Sequence, residues 1–288
     1  MTKLFGFAQL DFAGTLPLAD GRYLARQDGD ESVLVLLTLG APPPPARRRR
    51  RPRKAEVEAE PSPLPLTRVT AVRASAPFAS EEEAGAWLED AAEVEDTADA
   101  IVAEGIALLG RALHVSAVAA ADPRGLELTA ERAVTVRIGY GEGEEIAASG
   151  FTAAREIDVW ARGASRRRQR QEDLRPQERI AAVLGGRERL ETCEILLLRA
   201  RSDLDAGRER EAALQLRVGL EALLAELGGG TDPGHAEDMA TLGDRRFEVG
   251  EAANMALRGE LSDERAGQVR ELLELCERVL RRRRILRG

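Results

Sequence analysis

Arginine comes in blocks along this chain: Arg47, Arg48, Arg49, Arg50 and Arg51 with Arg53 close behind, then Arg166, Arg167 and Arg168 with Arg170, then Arg281 to Arg284. A guanidinium is a flat fork that donates two parallel hydrogen bonds to a phosphate. Such blocks would suit a nucleic-acid contact whose affinity falls steeply with salt. No aromatic residues are interleaved to stack on bases, and acids follow closely: Glu56, Glu58 and Glu60 after the first block, Glu172 and Asp173 after the second. The third block would close a helix, where cations meet free carbonyls. Lys3 and Lys54 are the only lysines. With the abundance of Ala, Gly and Glu, this usage reads as codon bias of a GC-rich bacterial genome, and that origin takes precedence over a phosphate-binding role.

The other groups with chemical potential are scattered. The two histidines are His114, late in an Ala- and Leu-rich segment, and His235, after Pro233-Gly234. The first is expected to pack or to end a helix, the second to sit in a loop or at a helix start, with an exposed polar loop preferred. Glu237 and Asp238 near His235 make a poor metal shell with one imidazole, so no metal and no cofactor are expected. Cys193 and Cys276 lie in Leu-rich segments and are expected to be buried, reduced thiols. The run Gly139-Tyr140-Gly141-Glu142-Gly143 lacks the endings of a phosphate loop, and its acids would repel phosphate. It reads instead as a glycine-rich exit from an edge strand. Paired carboxylates (Glu82 and Glu83, Asp203 and Asp205, Glu209 and Glu211) interleave with Arg as solvated helix faces do. No residue is nominated as catalytic.

Composition bounds the class. Of 288 residues, 43% are hydrophobic but only 3% aromatic, so aliphatic side chains must fill the core; the net charge of −8 argues against a surface built throughout for nucleic acid or anionic lipid. The longest apolar stretch, Ala98 to Ala121, is broken by Asp99, Glu104, Arg111 and His114, which disfavours a membrane span. Lys3 is followed by strand-like residues rather than an apolar leader. A cytoplasmic location is expected.

The elements that position these residues fall into two parts. Phe5 and Phe7 share one parity and Leu10 and Phe12 the other, so either a bulge near Ala8 and Gln9 or a shorter strand than the run suggests is expected. Tyr23 marks a short strand, Val33 to Leu39 a central one, and Thr67 to Ala74 another. Prolines, arginines and glutamates between them make residues 41–65 a disordered insertion inside one sheet, with an interdomain linker as the competing reading. Ser80 and Glu83 form a capping-box pattern ahead of one helix. A second helix spans roughly 97–120, with Gly105 and Ala112 allowing close packing. Leu126 and Leu128 suggest a strand, and Val134 to Tyr140 alternates cleanly as another. From residue 176 the period is helical: a helix ending at Gly185-Gly186, two at 187–206 and 208–227, one near Phe247 to Leu257, and a last one capped by Ser262. The expected fold class is therefore α+β: a small, mostly antiparallel N-terminal sheet with two helices over residues 1–140, a connecting segment over 141–175, and an all-helical bundle over 176–288.

The hairpin from Glu194 to Leu227 resembles a single tetratricopeptide unit. Ala200 supplies the small residue of the first helix, Gly207 the turn, Ala212 the small residue five positions on, and Gly219-Leu220-Glu221 stands where such repeats carry Ala-Leu-Glu. Arg199 and Asp203 depart from the pattern, and no second copy follows. The resemblance implies a protein- or peptide-binding surface. The functional expectation is a non-catalytic adaptor or regulatory protein that binds a protein partner, or its own copy, through the C-terminal helices. A nucleic-acid-associated protein using the arginine blocks is the alternative, and an enzyme of unfamiliar type the second alternative.

Overall fold

The computed structural model describes residues 3–27, 29–40, 64–159, 176–228 and 233–287. They form an α+β protein, in which the chain divides into two compact units, Met1–Gly163 and Ala164–Gly288.

The first unit is built on an antiparallel sheet with strands β1 (Leu4–Ala13), β2 (Gly21–Gln27), β3 (Asp30–Leu39), β4 (Leu66–Arg73), β5 (Ala133–Glu142) and β6 (Ala153–Glu156), in the order β2-β3-β4-β1-β5-β6. Of the expected insertion 41–65, residues 41–63 lie outside the described residues, but Leu39 pairs with Leu66 across adjacent strands. That chain therefore leaves and re-enters one sheet at neighbouring points. Helices α1 (Glu81–Glu93) and α2 (Glu95–Ala119) cover one face, where Leu88, Ile101, Leu109 and Leu113 meet Leu10, Leu36, Val69 and Ile138. Ser80 Oγ accepts from Glu83 N at 3.1 Å, while the Glu83 carboxylate accepts from Ala79 N at 2.7 Å, closing the start of α1.

Three expectations for this unit are corrected. Strand β1 carries no bulge at Ala8 and Gln9; its one register irregularity falls between Asp11 and Phe12, against β5. Both parities are apolar because both faces of this central strand are covered: Ala8, Leu10 and Phe12 under the helices, and Phe7 in a smaller cluster with Val72 and Ile146. Leu126 and Leu128 form no strand but pack onto the core from a loop. The strand β5 is no edge, because β6 pairs with it from Tyr140↔Ala153 to Arg137↔Glu156. The sheet thus runs past residue 140, into the segment expected only to connect. Its glycines serve packing: a Cβ on Gly139 would lie 2.4 Å from the Ala153 carbonyl and 2.7 Å from the Phe7 ring.

Helix α2 is the one helix among the described residues long and apolar enough to cross a membrane. Its stripe of Ala98, Ile101, Val102, Leu109 and Leu113 is buried on the sheet, and Ser116 Oγ donates to the Pro17 carbonyl at 2.9 Å. That stripe serves the core, while Val115 and Val118 further along the helix are exposed.

After the short helix α3 (Gly143–Ala147) in the first unit, the second unit contains α4 (Pro176–Leu184), α5 (Thr192–Asp205), α6 (Glu209–Leu227), α7 (Pro233–Asp244), α8 (Arg246–Arg258) and α9 (Asp263–Arg287). Helix α6 is its axis, touching α5, α7, α8 and α9. Leu216, Leu220, Leu223 and Leu227 of α6 pack with Leu197, Leu204, Val249, Leu272, Leu273 and Val279 in one core. Gly207, at φ +71°, makes the turn between α5 and α6, where any side chain would be strained. Gly219 brings the two backbones together: a Cβ there would stand 2.9 Å from Leu197 Cδ2.

Gly219→Leu should therefore lower the urea stability of the helical unit by about 1–3 kcal/mol through overpacking. Gly250→Ala, where nothing lies within 4 Å of the added Cβ, should raise it by up to ~1 kcal/mol through helix propensity. Equal responses at the two glycines would show that the α5–α6 contact is loose.

Candidate functional site

Helices α5, α6 and α8 lie side by side with α6 in the middle, and α9 packs against all three. Each turns a stripe of small and aliphatic residues inward: Cys193, Leu197, Ala200 and Leu204 on α5; Leu216, Leu220 and Leu223 on α6; Val249, Ala252, Ala253 and Ala256 on α8. Helical spacing puts Ile195 and Leu198, Val218 and Phe247 on the opposite side of their helices. Leu198 is 71% exposed, Val218 54% and Phe247 77%. Gly219, next to Val218, backs onto Leu196 and Leu197, the neighbours of Ile195 and Leu198 in sequence. The outer surface of this layer thus carries large apolar side chains at core-like spacing with water on them. This is the candidate interaction surface. The polar rim includes Arg217, which donates to Asn254 Oδ1 at 3.1 Å, and Arg246, which grips the Glu221 carboxylate with Nε and Nη2.

The layer is fixed by ion pairs rather than by aromatic packing. The start of α5 leaves amides without helical partners, and the Glu226 carboxylate from α6 accepts from Thr192 N at 3.2 Å and Cys193 N at 3.0 Å. Burial pushes Glu226 up, but these donors outweigh it and hold the carboxyl below its ordinary value. Glu194, nearly buried, receives Arg179 from α4 and Arg284 from α9, the latter at 3.0 Å. Burial raises its pKa, and the two guanidinium groups bring it below the usual range. Arg201 clasps Glu277 of α9 through Nε and Nη2 at 2.8 and 2.9 Å.

Three arginines of the third block pair within the unit. Arg284 reaches Glu194, Arg283 lies 3.8 Å from Glu191, and Arg282 lies 3.3 Å from Asp238, tying α9 to α5 and α7. Arg281 of the same block is exposed, and the other two predicted phosphate-binding blocks, Arg47 to Arg53 and Arg166 to Arg170, lie outside the described residues. His114 is exposed on α2. His235 takes the helix start rather than the preferred exposed loop: it stands in the first turn of α7, half-buried, with Nε2 2.6 Å from the Leu227 carbonyl. Pro233 starts that helix, and the imidazole then joins it to the end of α6. Among the paired carboxylates, Asp203 bonds Arg208 and Asp205 lies 3.6 Å from Arg201. Both cysteines are buried free thiols. Burial, helped by Glu226, pushes Cys193 up to about 12, and burial with the nearby Glu277 pushes Cys276 to about 12.

A polar row on the face of the sheet away from α1 and α2 escaped the sequence reading. Asp11 accepts from Arg68 Nε at 2.8 Å and Nη2 at 2.9 Å, and from Arg137 Nη1 at 3.4 Å. Beside it, buried Gln9 donates to Thr70 Oγ1 at 3.2 Å, and its Oε1 has no partner among the described residues. The signal was the shared parity of Phe5, Phe7, Gln9 and Asp11, which the supposed bulge concealed.

With the geometry in place, the class is defined: an α+β chain whose sheet unit precedes a helical unit centred on one hairpin. No family model, no curated protein and no solved structure matches the chain. The tetratricopeptide resemblance rests on the residues of the α5–α6 hairpin alone.

Glu194 and Glu226 have lowered pKa values, so their stabilisation is complete above the unfolded glutamate value of about 4.3 and is lost as pH falls through their lower folded values. The urea midpoint of the helical unit should therefore drop steeply in acid, and Glu194→Gln should flatten that dependence while costing about 2 kcal/mol at neutral pH. An unchanged acid limb in Glu194→Gln would remove the carboxylate from this role. The two thiols should react with a disulfide reagent only after denaturation; stoichiometric labelling of the native protein would contradict their burial.

Proposed function

We propose that this chain is a non-catalytic cytoplasmic interaction protein, adaptor or regulatory in role, that binds a protein partner or its own copy through the C-terminal helices. The observation that carries the reading is the outer surface of α5, α6 and α8, where Ile195, Leu198, Val218 and Phe247 stand exposed opposite the buried stripes. Exposed aliphatic and aromatic side chains grouped on a rigid layer, rimmed by charge, are what a helix or hairpin partner covers. The pairing of Arg282, Arg283 and Arg284 inside the unit supports the same ranking, since it occupies three of the four arginines of one block.

A photo-crosslinking residue placed at Leu198 should give one dominant adduct in cells, either a dimer of this chain or a single partner. The same residue at Glu82 of α1 should not, and Val218→Glu should abolish the adduct. Sedimentation of the purified chain over a concentration series then separates self-association from a foreign partner. A monomer at every concentration together with no specific adduct at Leu198 overturns the proposal. Binding to mixed-sequence RNA or DNA, followed by fluorescence anisotropy, should show no difference between the full chain and one lacking residues 41–65. A steep salt dependence that weakens in the deletion would put nucleic acid in place of the protein partner.

A further inference from the structure

On the face of the sheet away from α1 and α2, near the start of β1, lies a cavity of about 220 Å3. Its apolar wall comes from Phe5, Val33, Val35 and Val72, and two charged side chains stand at it, Arg22 of β2 and Glu144 of α3. Strand register builds this arrangement: Val33 pairs with Val72, and Arg22 pairs with Val35, so the guanidinium is delivered beside the valine floor. Arg22 Nη1 and Nη2 then donate to the two Glu144 oxygens at 3.2 and 3.0 Å.

We propose that this cavity binds a small monocarboxylate with a compact apolar body, the ligand's carboxylate taking the place of Glu144 on Arg22. Size sets the body: an apolar cavity of roughly 150 Å3 admits benzene, so about 220 Å3 takes a short branched or eight-carbon chain, or one ring with a short stem. Charge sets the head. The Arg22–Glu144 pair is exposed on both sides, so it is loosely held and screened by salt. Exchanging one carboxylate for another preserves both bonds of the fork, while the ligand's apolar part leaves water. Of the two charges, Arg22 is the anchor. Its side chain is 52% exposed against 87% for Glu144, and it stands in the cross-strand row of Val35, whereas Glu144 rides on a helix of five residues.

The test titrates octanoate, octanamide and octylamine separately into the full-length, nitrogen-15-labelled protein and follows the backbone amides of Val33, Val35 and Val72 by NMR. Octanoate should shift them saturably, and the amide and amine should not. Arg22→Gln should weaken octanoate at least about tenfold, the loss expected for a bidentate charged contact. Glu144→Gln, which removes the competing carboxylate, should tighten it severalfold. Both positions are exposed, and circular dichroism confirms that the variants are folded. Equal binding of all three probes, preferred binding of octylamine, weaker binding in Glu144→Gln, or no saturable shift up to millimolar octanoate each overturns the proposal. The result is independent of any partner at the helical unit.

Discussion

At Gly105 and Gly219 two helices come so close to their neighbours that a methyl group would not fit without displacement: a Cβ on Gly105 would stand 3.1 Å from the Ala8 methyl, and one on Gly219 2.9 Å from Leu197. This closeness follows from composition. With aromatic residues at 3% of the chain, gaps between elements cannot be filled by rings, so the elements themselves must approach. Alanines repeat the device at Ala71 and Ala98 in the sheet unit and at Ala200 and Ala212 in the helical unit, all of them buried. Dispersion over many short contacts replaces the few large ones that aromatic side chains would make.

Small residues let helices approach but do little to fix how they slide past one another. That information sits in forked ion pairs at the margins of the core. Arg201 to Glu277 sets α5 against α9, Glu226 sets the end of α6 against the start of α5, and Glu194 gathers α4 and α9 at the same place. In the sheet, Asp11 draws arginines from the strands on both sides. A planar guanidinium accepts few geometries, which is why arginine rather than lysine suits this work. The abundance of arginine, read at first as codon bias, therefore coincides with a structural use. The two accounts are compatible, since a biased genome supplies the residue that the ion pairs employ.

Local signals were legible and paired ones were not. The Ser80–Glu83 cap, the Gly207 turn, the alternation of Val134 to Tyr140 and the stripe of the last helix are each contained within a few residues, and each stands where periodicity put it. Strand β6, by contrast, is four residues long and gains its place from pairing with β5, which nothing in Ala153–Glu156 announces. The two-sided burial of β1 misled for the same reason. Parity shows which residues share a face, but only the neighbouring layers decide whether that face is dry. The terminal arginines were read as a dipole complement, yet their partners Glu191, Glu194 and Asp238 lie far back in sequence. Helix α7 hid behind Pro233-Gly234, a pair that marks a turn as readily as a helix start.

The pairing of Leu39 with Leu66 carries a meaning for the gene as well as for the sheet. Codons inserted or lost between those two positions lengthen or shorten a detour without changing which strands meet, and the entropy of closing that detour grows only as the logarithm of its length. This stretch is where related chains should differ most in length while the sheet on either side stays in register.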